Sequence, residues 1–100
     1  MFNVINIKNL DRGNPRHVYC GRPSKLGNPF PLKDERKRDA VCDEFHHLFH
    51  SELIHDPEYA VKLLELLSLH KKYGVVALAC FCAPKRCHCD TIATFLNDSL

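Results

Sequence analysis

The chain of 100 residues has no tryptophan and only four glycines. It also lacks any apolar run near the roughly 20 residues that a membrane-spanning helix needs. The longest run covers only Val75 to Ala83, so a helical membrane span is excluded. The first residues, MFNVINIKNL, put Asn3, Asn6 and Lys8 where a secretory leader needs its apolar stretch. The expected location is therefore the cytoplasm, with no membrane partner. A Walker loop, a GxGxxG turn and a serine nucleophile elbow are all missing, which removes three common enzyme classes. There are no internal repeats and no linker composition, so residues 1–100 are expected to form a single domain.

What the chain has in quantity is cysteine. Six are present, and Cys80, Cys82, Cys87 and Cys89 crowd into one short segment. In a reducing compartment such thiols stay free, and their crowding points to metal binding, redox chemistry or a reactive pocket. Charge is uneven as well. Residues 1–38 carry nine Lys or Arg against three acids, and the remainder carries five against nine. A basic first third suggests an anionic partner: a nucleotide, a phosphate or a nucleic acid.

The pattern predicts α/β architecture. Val4–Ile7 and His17–Cys20 read as strands, and residues 75–82 read as a strand buried on both faces. A helix from about Asp34 has the stripe Val41, Phe45, Leu48, Phe49 and Leu53. A second helix starts at Asp56-Pro57, buries Ala60, Leu63, Leu64 and Leu67, and stops at Gly74. A third is expected to take Asp90 as its cap and to bury Ile92, Phe95 and Leu96. The order β-β-α-α-β-α implies a small three-stranded, mostly parallel sheet with helices packed on it.

Two irregular segments follow the second and last strands, where open α/β sheets bind ligands. The first is GRPSKLGNPFP, residues 21–31. Gly21 and Gly27 offer backbone freedom near an anion, Arg22 a bidentate grip and Lys25 a point charge. Ser24 and Asn28 add neutral polar groups, and Phe30 a ring. The second segment is CFCAPKRCHCD, from Cys80 to Asp90. Cys87 and His88 arrive at a helix start, where amides and the helix dipole favour an anion. As a catalytic set, Cys82 or Cys87 is the nucleophile and His88 the acid/base, with Asp90 as cap or as orienter of His88. As a metal set, Cys80, Cys82, Cys87 and His88 supply Cys₃His donors for zinc. Against zinc stands the origin of all four donors in one segment, with a CxC pair on a straight strand. On that argument Cys80 is core. The histidines His46, His47, His50, His55 and His70, together with Cys42, are expected on the surface.

The segments VYCGRPSKLGNPF and LACFCAPKRCHCD resemble a family of small domains of unknown function found in phages and bacteria, family 4326. Its members look like VYIGRPSKWGNPF at the front and LxCWCxPxxCHxD near the end. The matching positions are Gly21, Arg22, Ser24, Lys25, Gly27, Asn28, Pro29 and Phe30, then Cys80, Cys82, Pro84, Cys87, His88 and Asp90. Leu26 and Phe81 depart from the usual Trp, and Cys89 from a usual small residue, which argues against Cys89 as a required ligand. The resemblance implies a phage or bacterial origin and does not supply an activity. Three functions remain open: a site for a nucleotide or another phosphorylated metabolite, a zinc module that binds a host protein, and a nucleic-acid-binding protein.

Overall fold

The structure is a computed structural model describing residues 1–100. Three parallel strands form one sheet: β1 (Phe2–Asn6), β2 (His17–Tyr19) and β3 (Val76–Cys80), in the order β1-β3-β2. Pairing aligns Phe2 with Val76 and His17 with Ala77. All five residues of β3 are buried, because its apolar side chains are covered on both faces and its backbone is paired on both edges. It ends two residues sooner than the expected strand of residues 75–82, and Phe81 stands 67 % exposed.

Three helices cover the sheet: α1 (Arg38–Ser51), α2 (Pro57–Tyr73) and α3 (His88–Asp98). α3 packs on β1 and β3, α2 on β3, and α1 against α3. Asp56 caps α2 by accepting from the Glu58 N–H at 3.0 Å, and Gly74 closes it with φ 82. None of these helices is long and apolar enough to cross a membrane.

The helix faces differ in detail from the sequence pattern. α1 buries Cys42, Phe45 and Phe49, while Val41 and Leu48 are only partly covered. α2 buries Tyr59, Leu63 and Leu66, and Leu64 faces solvent. Aromatic rings set this face: Phe49 meets Tyr59 and Phe95 edge-on, with centroids 6.0 and 5.2 Å apart. Aromatic side chains bury roughly 150–250 Å² each and dominate core energetics, so the helices turn their rings inward before a Leu at the margin. Cys42, expected on the surface, is buried where α1 meets the second irregular segment, its Sγ 3.7 Å from Arg86 O.

Candidate functional site

Both irregular segments leave the same edge of the sheet. Cys20 prolongs the ladder, its N–H donating to Ala79 O at 2.9 Å, and the chain then folds through tight turns. Ser24 N–H donates to Gly21 O at 2.9 Å, Gly27 N–H to Ser24 O at 3.0 Å, and Phe30 N–H to Asn28 Oδ1 at 2.8 Å. The Arg22–Pro23 bond in this segment and Ala83–Pro84 in the other are cis. Gly21 and Gly27 do not use positive φ. They give space instead. A Cβ at Gly21 would sit 2.6 Å from Tyr19 Cζ, and one at Gly27 2.9 Å from Arg22 N.

The second segment is fastened by polar contacts. Asn6 Nδ2 donates to Ala83 O at 2.7 Å, and Lys85 N–H to Cys82 O at 2.8 Å. Arg86 reaches across to α1, with Nη2 2.7 Å from Asp43 Oδ1 and Nη1 3.1 Å from Asp39 Oδ1. The helix α3 begins earlier than expected. Cys87 is its N-cap, and Asp90, on the first turn, accepts from the Cys87 N–H at 3.0 Å. That back-bond turns Cys89 into the core, where it is fully buried.

Between the segments lies a cavity of about 170 Å³. Gly21, Arg22, Asn28 and Phe30 line it from the first, and Cys80, Phe81, Cys82, Cys87 and His88 from the second. Leu32, Arg38, Val41 and Cys42 complete the wall. Most of this lining is apolar. Arg38 is committed elsewhere: Nε lies 2.7 Å from Glu35 Oε1, and Nη1 donates to Arg86 O at 2.9 Å. It also stands beside the Cys82 thiol. Arg38 hydrogen-bonds Glu35, and Lys85 adds to this, which holds the Glu35 carboxyl down to about 2. The Arg22 guanidinium forms no ion pair, which leaves it as the cavity's free cation.

His88 is buried in the cavity wall. Nε2 donates to the Cys20 carbonyl at 2.7 Å, and the ring lies edge-on to Phe45 at 5.2 Å. Burial pushes its pKa below the usual imidazole value, against the pull of the Cys20 carbonyl, so the ring is neutral.

Two residues of the wall, Cys80 and Cys87, converge with the buried Cys89, the three sulfurs all within 4.8 Å of one another. Cys80 Sγ is 3.0 Å from Cys87 Sγ. Hydrogen bonds from Cys87 and then Cys89 hold the Cys80 thiol down, favouring a thiolate there. The Cys87 thiol, pushed up first by this same contact with Cys80, is the less acidic of the two. Cys89 is raised as well, first by its contact with Cys20 and then by Cys80 and Cys87.

The structure thus regroups the expected site residues. Arg22, Asn28, Phe30, Cys82, Cys87 and His88 meet at one cavity. Lys25 does not join them, since it pairs with Asp56 at 3.7 Å and Glu58 at 3.4 Å on the far side of the loop. Ser24 is spent on Gly21 O, and Asp90 on the helix cap. Cys82 and His88 stand outside the three-thiol group, and Cys89 is in it. The basic first third is also partly neutralised, with Lys25, Arg36 and Arg38 each paired to an acid. The residues not anticipated are Cys20, Arg38 and Cys42. For Cys20 a signal existed, because the second strand places it at the same sheet edge as Cys80.

No curated protein and no solved structure matches the chain. The family model described as Domain of unknown function (DUF4326) matches residues 5–98, nearly the whole length, and the chain belongs to that family.

Proposed function

We propose that this chain binds a small anionic metabolite, a nucleotide or another phosphorylated compound, in the cavity between its two irregular segments. The observation that carries this reading is Arg22, a cation with no ion-pair partner, among the residues that line a mostly apolar cavity. A guanidinium suits phosphate, which it grips with two parallel hydrogen bonds. The location supports it too, because open parallel sheets take ligands beyond the carboxyl ends of their strands. Size narrows the class. At about 170 Å³ the enclosed part resembles a cavity of roughly 150 Å³ that accommodates a benzene-sized molecule. One ring or one phosphate group is held inside, and the rest of the ligand lies towards solvent along Phe30 and Phe81. The Asn28 amide and the Cys82 thiol are the other polar groups offered to it.

The test is thermal unfolding with adenosine and uridine monophosphates, the matching nucleosides and inorganic phosphate. A ligand at a hundredfold excess over its Kd stabilises the native state by about 2.7 kcal/mol. The expected result is a rise in Tm with a monophosphate and none with its nucleoside. Arg22→Gln should abolish the rise, while Lys25→Gln should keep it. Equal shifts in wild type and Arg22→Gln would overturn the reading.

A further inference from the structure

The convergence of thiols is a separate observation from the unpaired Arg22, although Cys80 and Cys87 also line the cavity. We infer that Cys20, Cys80, Cys87 and Cys89 form a closed site for one zinc-class, thiophilic divalent metal ion.

Three observations carry this. Zinc holds its thiolate ligands at about 2.3 Å, so sulfurs sharing one tetrahedral ion stand close together. The Cys80, Cys87 and Cys89 sulfurs, within 4.8 Å of one another, already occupy such a group with little rearrangement. The second observation concerns origin. The objection to a metal was that one short segment cannot supply ligands from several directions. Here the turn after β3 brings the first turn of α3 back to the strand end, where Cys87 Sγ lies 3.0 Å from Cys80 Sγ and Cys89 joins the same group. Cys20 comes from a different strand altogether. Tyr19 pairs with Ala79, so Cys20 follows at the position beside Cys80, fully buried in the same core as Cys89. Donors therefore arrive from β2, β3 and α3. Third, all four are at most 3 % exposed, and none is in a disulfide. Structural zinc sites are closed and four-coordinate in this way, whereas catalytic ones keep an open position.

On binding, each thiol loses its proton to solvent as its sulfur ligates the ion, and nothing is oxidised or reduced. The amides of the first turn of α3 face the resulting negative charge. The donor set differs from Cys80, Cys82, Cys87 and His88. Cys82 lies at the cavity rim, and His88 Nε2 is occupied by the Cys20 carbonyl.

The experiment starts with full-length protein purified under reducing conditions without chelator. Zinc per chain is measured by elemental analysis and native mass spectrometry, and cobalt(II) is then substituted and its spectrum recorded. One zinc per chain is expected, with intense thiolate-to-cobalt charge-transfer absorption and d–d bands of tetrahedral geometry. Cys82→Ala should keep the metal, and Cys20→Ala and Cys89→Ala should lose it. Folded, metal-free wild type that gains no cobalt absorption overturns the site, as does a Cys80–Cys87 disulfide in reduced preparations. Loss of zinc in Cys82→Ala with retention in Cys89→Ala, or full retention in Cys20→Ala, overturns this donor set. The wild-type measurements decide the matter even where a cysteine variant fails to fold.

Discussion

Gly21→Ala is a small change with a calculable effect on the wall of the cavity. The new methyl would lie 2.6 and 2.8 Å from Tyr19 Cζ and Cε1, inside any tolerable contact, so the Tyr19 ring must swing away. Two interactions go with it. The Tyr19 hydroxyl donates to Arg22 O at 2.6 Å, and a neutral hydrogen bond of this kind contributes about 1 kcal/mol net. The ring also meets Phe81 edge-on at 6.2 Å, a pair worth about 0.5–1.5 kcal/mol and nearer the lower figure because Phe81 is exposed. Working against these losses, Ala restricts the unfolded chain and returns about 0.4–1 kcal/mol, since Gly21 has no positive φ. The net cost is about 1 kcal/mol, which lowers Tm by roughly 4–8 °C in a chain of this size. Thermal melts followed by far-ultraviolet circular dichroism suffice. The decisive control is Tyr19→Ala, because it removes all three of the atoms nearest to the new methyl. In that background Gly21→Ala should be neutral or slightly stabilising. If it costs as much there as in wild type, the close approach of Tyr19 is not the reason position 21 is glycine.

Two other outcomes follow from the geometry. Cys82 is the only one of the six cysteines that is not buried, so brief iodoacetamide treatment of native protein should modify it first, as mapped by mass spectrometry; earlier labelling of Cys42 would contradict this. Glu35, whose folded pKa of about 2 lies below its ordinary 4.5, adds stability that is fully present above about pH 4.5 and is lost as pH falls towards 2. Its carboxyl carbon should titrate near the lower value by NMR, and Glu35→Gln should flatten that part of the acid-unfolding curve; a midpoint near 4.5 would show that Arg38 does not hold it.

Much of this architecture was legible in the sequence. The unbroken apolar run of residues 75–82 marked a doubly covered strand, and Asp56-Pro57 with Gly74 marked both ends of α2. The Gly/Pro segment and the Cys-rich segment, each following a strand, were placed at one sheet edge by parallel pairing alone. The groups inside the site were harder, because they depend on a helix start and on loop closure. Asp90 reads as a cap residue from sequence, yet it caps from within the first turn, and the resulting rotation brings Cys89 rather than Cys82 to Cys80. Lys25 reads as a phosphate ligand by composition. Which way it points depends on Asp56 and Glu58, far along the chain and invisible to local pattern. Gly21 and Gly27 were recognisable as special, but only three-dimensional packing reveals that space rather than torsional freedom is what they supply.

The order β1-β3-β2 has a consequence for how the chain reaches this state. The two outer strands never touch each other, and both pair only with the strand formed last. During synthesis β1 and β2 would emerge with no partner, and no part of the sheet can zip until Val76–Cys80 has left the ribosome. Helices α1 and α2 have only local bonds to satisfy and are free to form earlier. Assembly is therefore weighted towards a late step in which long loops close together. The same step draws Cys20 alongside Cys80, so the thiols come together only when the sheet does.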